Sequence, residues 1–535
     1  MKRIFIVTAL TLTATLSMSG QGVMDALNSI STQTKGTARY SAMAGAFGAL
    51  GGDITSIKQN PAGIGVYRSS ELSVTAGFNF YDNHVDLPRN NNHNNDFYFT
   101  GDNLGVIGVI NFKSGALRNL NFGFAYNNVM NFNNAYRADW SNIHTSLTQL
   151  IASKASNLGC PPADLGITSS YNPYNTMPWL PVLGYNTHLI YHTSVSSATN
   201  QYNAIYNTMQ SRGSAYLTNI TTGGIDEYDF NISGNIKDVF YWGLSINVTN
   251  ISYHMESYYG EELQQVNVNN NNNRNVRTSV TDGSFELSNY LLTKGYGTGV
   301  KLGLIYRPIN LIRLGFAVHT PTYYNMTDTY SAAVDYAFND VDGKPLVGSS
   351  SNLDNQTDIG QIGYKFTSPW HFLGSMAFVF NKGGILSLDY EYITTSDMYY
   401  SDIYADYSYT NNIMKSQVQG IHNIRAGAEF RITPLFSVRA GYSFETSPLN
   451  KDYFNGRMTP LIAEGTICHY QVPGEVHNVS CGLGYRYNNI FIDAAYVFRT
   501  QDYSIFAYEG ALSDSQLTIL NTNNHSIKLT FGYRF

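Results

Sequence analysis

Apolar and polar residues alternate along the last stretch of the chain. Ile527, Leu529, Phe531, Tyr533 and Phe535 are separated by polar or small residues. A period of two places all five apolar side chains on one face of a β-strand. A strand of about 9–11 residues is long enough to cross a membrane at a tilt. We therefore predict a strand over residues 525–535 with one lipid-facing side, although the half-buried last strand of a soluble β-protein would show the same pattern.

The same alternation recurs upstream. Val438, Ala440, Tyr442 and Phe444, for example, fall on the face opposite to Arg439. In total the pattern predicts fourteen strands, over residues 71–81, 104–113, 120–132, 225–236, 239–254, 296–307, 311–321, 360–380, 384–396, 419–432, 435–446, 476–487, 490–501 and 525–535.

The connections between these strands alternate in length. Those after the even-numbered strands are short and span residues 114–119, 237–238, 308–310, 381–383, 433–434 and 488–489. The other connections are long and polar. Outer-membrane barrels have short periplasmic turns and long external loops. This regularity favours an all-β fold, a closed 14-stranded antiparallel transmembrane β-barrel, over a soluble sandwich, and the even count returns the C-terminus to the periplasmic side.

Composition agrees with a barrel. Charged residues make up 13% of the chain, and 42 Tyr and 28 Phe make aromatic residues common. The chain after the N-terminal stretch contains no run of about 18 apolar residues, which argues against a helical membrane protein. The formal net charge is −6, and no basic patch indicates a nucleic-acid partner. Three scattered cysteines are too few for a disulfide framework, and a bridge between Cys160 and Cys468 has no support.

The N-terminus has the features of a secretory signal peptide. Lys2 and Arg3 precede an apolar stretch over residues 4–16, and small residues over 17–20 form a cleavage site. A membrane anchor is the alternative, but the stretch is short and rich in threonine. The expected location is the outer membrane of a Gram-negative bacterium. We expect a signal peptide over 1–20, an N-terminal segment over 21–70 and a barrel over 71–535.

Residues 39–68, RYSAMAGAFGALGGDITSIKQNPAGIGVYR, do not alternate. Small residues in this run allow close backbone approach, and Pro61 predicts a turn. The run resembles the N-terminal hatch of the outer-membrane transporters for long-chain fatty acids and aromatic hydrocarbons, the family of FadL and TodX. The Asn-Pro-Ala motif of that family matches Asn60, Pro61 and Ala62, although the tripeptide alone would also suit an ordinary turn. Residues 295–307, 368–392 and 423–447 resemble the same family.

The resemblance implies that the N-terminal segment over 21–70 is a hatch, or plug, inside the barrel lumen that gates a passive channel for hydrophobic small molecules. Asn60, Pro61 and Ala62 would fix this hatch. The family likeness also implies a monomer. The terminal Phe535 resembles the sorting signal by which the barrel assembly machinery recognises outer-membrane barrels.

Alternation also predicts which charged side chains face the lumen. Among them, Arg425 and Arg439 are the favoured ligands for an anionic head group, because a guanidinium binds a carboxylate with two parallel hydrogen bonds. The apolar hatch residues Met43, Phe47 and Leu50 would line a pocket for the tail. The alternative is that the lumenal charges form ion pairs that hold the hatch in place.

The longest connection covers residues 133–224, and helical spacing within it predicts an amphipathic helix over 139–158. This helix would cap the barrel mouth or pack on the core of its own loop.

No catalytic motif is present, so we predict neither an enzyme nor a metal or other cofactor. The primary hypothesis is transport of a hydrophobic ligand across lipid. The alternative is a barrel that serves as a binding or assembly partner of a secretion system at the cell surface; a general porin is a weaker hypothesis, because an inserted plug argues against it.

Overall fold

The computed structural model describes residues 22–86, 92–192, 201–269, 278–340, 342–349, 353–380, 383–403, 405–449, 465–508 and 517–535. The predicted signal peptide over residues 1–20 therefore lies outside the described residues. In the described part of the chain, no helix is both long and apolar enough to cross a membrane.

Strands dominate the structure. The strands are β1 Glu71–Asp86, β2 Asn92–Asn111, β3 Leu117–Asn131, β4 Asn134–Ser141, β5 Ile190–His192, β6 Tyr202–Ala204, β7 Arg212–Ile236, β8 Phe240–Asn269, β9 Thr278–Ile309, β10 Ile312–His319, β11 Tyr323–Asn339, β12 Pro345–Gly348, β13 Gly360–Thr367, β14 His371–Phe380, β15 Gly384–Ile393, β16 Tyr399–Ser401, β17 Ile421–Arg431, β18 Phe436–Glu445, β19 Tyr470–Tyr487, β20 Ile490–Phe506 and β21 Leu517–Arg534. The α-helices are α1 Val23–Ser29, α2 Ala38–Ala42, α3 Leu147–Leu158, α4 Pro162–Leu165, α5 Trp179–Asn186 and α6 Ser408–Gln417. Short 3-10 helices cover Ile54–Lys58, Pro61–Val66, Pro173–Asn175, Leu353–Asn355 and Thr395–Asp397.

The large sheet closes into an antiparallel barrel of fourteen strand positions. Around the barrel, each strand pairs with the next along the chain, and β21 pairs with β1 through sixteen successive residues of β1. Ser70 and Phe535 exchange both backbone hydrogen bonds at the closure. β3 with β4, β10 with β11, and β13 with β14 each occupy one position as a broken strand. The predicted fourteen-stranded barrel is confirmed.

The outer wall has the predicted apolar face. Along β21, Ile527, Leu529 and Phe531 are exposed on the outside, whereas Lys528 and Thr530 are buried inside. Cys481 is likewise exposed, while Cys160 and Cys468 are buried free thiols. The alternation in the sequence therefore predicted correctly which side chains of this strand face outwards and which face the lumen.

One end of the barrel carries a large cap. β7, β8 and β9 contain 25, 30 and 32 residues, far more than a crossing needs. Their upper parts, with β4 to β6, β11, β12 and α3 to α5, surround a separate hydrophobic core. We call this end the upper end, and the opposite end, where the short turns lie, the lower end.

The predicted helix over 139–158 starts later than expected. Residues up to Ser141 belong to β4, and α3 begins at Leu147 behind a capping box formed by Ser146 and Gln149. The helix ends at Gly159, whose φ of 63° is left-handed. Leu147 and Ile151 are buried in the core of the cap, so α3 packs on its own loop.

Candidate functional site

Residues 36–66 fill the lower lumen of the barrel, and nearly all of them are buried. We call this segment the hatch. At its centre, Asn60 is completely buried. Its side-chain nitrogen donates hydrogen bonds to the carbonyl oxygens of Gly48 at 2.6 Å and Leu304 of β9 at 3.2 Å, and its side-chain oxygen accepts one from the Ala62 backbone N–H at 3.1 Å. Asn60 thus caps the 3-10 helix Pro61–Val66 and ties it to the barrel wall.

Two glycines of the barrel wall face this turn. Gly243 of β8 and Gly303 of β9 are cross-strand neighbours. A Cβ on Gly243 would lie 2.3 Å from the carbonyl carbon of Pro61, and one on Gly303 would lie 2.0 Å from the Asn60 side-chain oxygen. Only glycine lets the hatch backbone come this close. Glycine at lumen-facing strand positions was a signal for the seat of the hatch that the sequence analysis missed.

The three predicted tail-binding residues lie together inside the hatch. Met43, Phe47 and Leu50 pack with Tyr40 of the hatch and Ala377 of β14 in one small hydrophobic cluster. Their role in ligand binding stays a prediction, since in this conformation they contact each other and the wall.

Arg439 lies in a buried ion network. Its Nε donates to Glu429 at 2.7 Å and its Nη1 donates to Asp493 at 2.5 Å. Glu429 also accepts from Nε of the hatch residue Arg39 at 2.8 Å. Only about 5% of the Arg439 side chain is exposed. Arg439 therefore has a structural role. It neutralises two carboxylates, and through Glu429 it belongs to the network that joins the hatch to the wall.

Arg425 has a different environment. It pairs with Glu391, but its Nη1 is buried without a hydrogen-bond partner among the described residues. The side chain lines a cavity of about 160 Å³ in the middle of the lumen, together with Lys58, Lys301 and Arg499. Of the two predicted head-group residues, Arg425 is the one with a buried donor that lacks a partner among the described residues.

The structure also groups three residues that were not predicted as a set. His319 and His371 are cross-strand partners, and with Glu391 they bring potential ligand atoms within 4.8 Å of one another. His371 Nδ1–H donates to Glu391 at 2.8 Å, and His319 Nε2–H donates to the Gln59 carbonyl oxygen at 2.8 Å. Because Glu391 also accepts from Arg425, these residues form a network between wall and hatch rather than an open metal site. Strand register, unknown from the sequence, brings them together.

A second cavity, of about 240 Å³, lies above the hatch. The segment that precedes the hatch forms one side of it, through residues that include Met24, Leu27 and Ile30. Helix α1 packs its apolar face on a cluster that includes Met414 of α6 and Val472 of β19. We call this space the upper cavity. Its lining combines apolar and polar side chains.

Backbone pairing between two wall strands stops beside the upper cavity. Backbone pairing of β2 with β3 runs from Asn111↔Asn119 to Asn103↔Asn127, and in the described residues it goes no further up. β2 nevertheless continues to Asn92 along β1. Above the end of pairing, β3 shifts register against β7. We call this unpaired stretch the slit. Met130 and Asn131 on its β3 edge line the upper cavity, and the side chains of Asn92 and Asn94 of β2 donate hydrogen bonds across it to the backbone of β4.

The position of α1 should depend on pH through Asp25. Burial raises the pKa of Asp25 to about 7, the Gly22 N–H hydrogen bond opposes this shift, and Asp328 adds to it. Docked α1 thus binds a proton more tightly than released α1, in which the pKa returns towards 3.8. Docking is therefore most favourable below pH 3.8, weakens as the pH rises towards about 7, and changes little above it.

We expect hydrogen exchange of the α1 amides, corrected for intrinsic rates, to show less protection at pH 8 than at pH 5. Asp25→Asn should remove the pH dependence and leave α1 protected. Equal pH dependence in wild type and Asp25→Asn would exclude Asp25 as the titrating group.

No protein-family model and no curated protein matches the chain. Solved structures do. A FadL homologue of Pseudomonas aeruginosa aligns at 12% identity and a TM-score of 0.51, covering 94% of this chain and 99% of that one. The toluene transporter TodX of P. putida aligns at 12% identity and a TM-score of 0.49, and the toluene transporter TbuX of Ralstonia pickettii at 14% and 0.43, each over 94% of this chain and 99% of the other.

The P. aeruginosa structure matches almost end to end, so the comparison covers both the barrel and the N-terminal segment. At this identity the likeness establishes the fold. This chain therefore has the fold of the P. aeruginosa FadL homologue, which confirms the structural resemblance seen in its hatch segment.

Proposed function

We propose that this protein is a passive channel for hydrophobic small molecules, such as long-chain fatty acids or hydrocarbons, in the outer membrane of a Gram-negative bacterium. The apolar outer wall supports a place in lipid. The resemblance of the hatch segment and the neighbour named as a FadL homologue support the ligand class. The barrel acts as a monomer, and the exposed side chain of Phe535 is offered to the barrel assembly machinery.

One observation carries the proposal: the upper cavity is lined both by the N-terminal segment and by the β3 edge of the slit. A ligand that prefers hydrocarbon to water gains free energy by leaving the cavity sideways into lipid. The route therefore runs from the cap to the upper cavity and out between β2 and β3. No energy source is needed, because the ligand moves down its own gradient.

The hatch closes the direct path through the lumen. Asn60, Pro61 and Ala62 hold it against β8 and β9, and a shift of α1 or the hatch changes access to the cavities. Below the upper cavity, Arg425 and Lys58 present cationic groups to the lumen. An anionic head group would bind there, with the unpartnered Nη1 donor of Arg425 as its first partner.

Filling the upper cavity should block the ligand. Thr522 of β21 lines it, is buried, and has a hydroxyl without a hydrogen-bond partner among the described residues. We expect Thr522→Phe to occupy the ligand space and to reduce copurified hydrophobic ligand, measured by mass spectrometry of the native barrel, by about tenfold. Stability should change little, because an unsatisfied buried hydroxyl costs about 1–3 kcal/mol and is removed.

The matched control is Asn523→Phe, at the next residue of the same strand, which faces outwards. It should retain the wild-type amount of ligand. Equal ligand in both variants would show that the upper cavity is not the binding site.

A second candidate function is supported by the cap. Its strands extend far beyond the barrel and carry an independent core, and such a surface could hold a protein. In this role the barrel would be a binding or assembly partner of a secretion system. A stoichiometric protein partner that copurifies in mild detergent and is lost when α3 to α5 are replaced by a short linker would favour it.

A further inference from the structure

The lower mouth of the barrel contains a third cavity, of about 330 Å³, below the hatch. It is separate from the upper cavity, and its lining is unusually rich in arginine. Seven arginines and two carboxylates line it: Arg39, Arg68, Arg313, Arg431, Arg439, Arg486, Arg534, Glu429 and Asp493. We call this space the arginine mouth.

Four of these arginines have carboxylate partners. Arg39 and Arg439 share Glu429, and Arg439 also binds Asp493. The remaining two pairs lie at the rim: Arg68 with Asp238, and Arg534 with Glu71 at 2.7 Å. The four carboxylates therefore balance four arginines.

Arg313, Arg431 and Arg486 remain without an ion pair among the described residues. Nη1 of Arg313 donates to the Leu50 carbonyl oxygen at 2.6 Å, and the Arg313 Nε is buried with no hydrogen-bond partner among the described residues. The Arg486 guanidinium lies 5.8 Å from the centre of the Phe491 ring. Arg431 is exposed at the rim. Three cations thus converge on one cavity with an excess of positive charge.

Such an arrangement is costly without an anion. Like charges at a partly buried site repel one another, and a buried guanidinium with unused donors loses hydration without replacement. An oxyanion removes both costs, because a planar guanidinium presents paired N–H groups that match two oxygens of a carboxylate or phosphate.

We propose that the arginine mouth is a binding site for an oxyanion, a phosphate or carboxylate group presented from the lower side of the barrel. The site lies on the opposite side of the hatch from the upper cavity and does not depend on the hydrophobic ligand. The group belongs either to a free anion in solution or to the head group of a lipid; Arg313, Arg431 and Arg486 bind the same oxygens in both cases.

The test is calorimetric titration of the full-length mature barrel in an uncharged detergent at low ionic strength. One arm uses inorganic phosphate and the other uses dihexanoyl phosphatidic acid below its micelle concentration. We expect binding in at least one arm, weakened by added NaCl because the contacts are ionic. Phosphate binding would identify a free-anion site, and binding of the lipid alone a head-group site.

The Arg431→Gln, Arg486→Gln double variant should weaken the observed binding at least tenfold. Arg118→Gln is the matched control, since Arg118 is exposed at the same end of the barrel and does not line the cavity; it should bind within twofold of wild type. Heat-modifiable gel mobility verifies folding, and Arg431→Gln alone, at the exposed rim, serves if the double variant does not fold. Absence of binding in both arms, or unchanged binding in the folded variants, would overturn the proposal.

Discussion

Replacement of Arg439 by methionine should destabilise the barrel by about 3–5 kcal/mol, because breaking a buried ion network leaves carboxylates without their partner. Asp493 loses its ion pair with Arg439, and Glu429 keeps only the one with Arg39. The measurement is equilibrium unfolding in urea of the barrel reconstituted in thin lipid bilayers, followed by tryptophan fluorescence.

Arg118→Met, an exposed substitution near the same end, is the control and should stay within about 0.5 kcal/mol of wild type. The triple variant with Glu429→Gln and Asp493→Asn should recover part of the loss, because the uncompensated charges are gone. A stable Arg439→Met variant that fails to take up ligand would instead favour the head-group role predicted for Arg439 from the sequence.

Gly243→Val should displace the hatch and open the lumen to ions. Even a single Cβ at this position would lie 2.3 Å from the Pro61 carbonyl carbon. Because both contacting groups are backbone, the clash can be relieved only if the hatch or β8 moves. We expect planar-bilayer recordings to change from a nearly closed baseline in wild type to frequent open steps in Gly243→Val.

The control is Gly108→Val on β2, where a Cβ meets nothing within 4 Å. This variant should retain the closed baseline. Open steps of equal size and frequency in wild type and Gly243→Val would mean that the hatch does not stop the lumen, as in a general porin.

The number and order of the strands could be predicted because lipid and lumen impose a strict period of two. In the cap the alternation continues, but with the apolar side chains facing inwards: Phe285 and Leu287 of β9 are buried in the cap core, whereas Glu286 and Ser288 are only partly buried. The upper parts of β8 and β9 were therefore missed, and these strands end at Asn269 and begin at Thr278 rather than near 254 and 296. Pro369 breaks the predicted strand over 360–380 into β13 and β14, since proline has no N–H for the ladder.

The candidate site could be predicted only in part. Alternation indicated that Arg425 and Arg439 face the lumen, and the Asn-Pro-Ala motif indicated a fixed turn. Neither pattern shows which arginine is neutralised, because Glu429 reaches Arg439 from the adjacent strand β17, and Asp493 reaches it from β20, two strands away. The slit between β2 and β3 begins where backbone pairing stops. This point could not be predicted, because the alternation of apolar and polar residues in either strand does not show where pairing ends.

Uptake of a labelled long-chain fatty acid into liposomes that contain the mature barrel tests the transport function most directly. The liposomes enclose an acyl-binding protein as a sink, and no energy source is supplied. We expect saturable uptake above that of empty liposomes. Thr522→Phe should reduce the uptake rate at least tenfold, and the control Asn523→Phe should keep the wild-type rate. Uptake no faster than in empty liposomes, for fatty acids and for toluene alike, would contradict a channel for hydrophobic molecules.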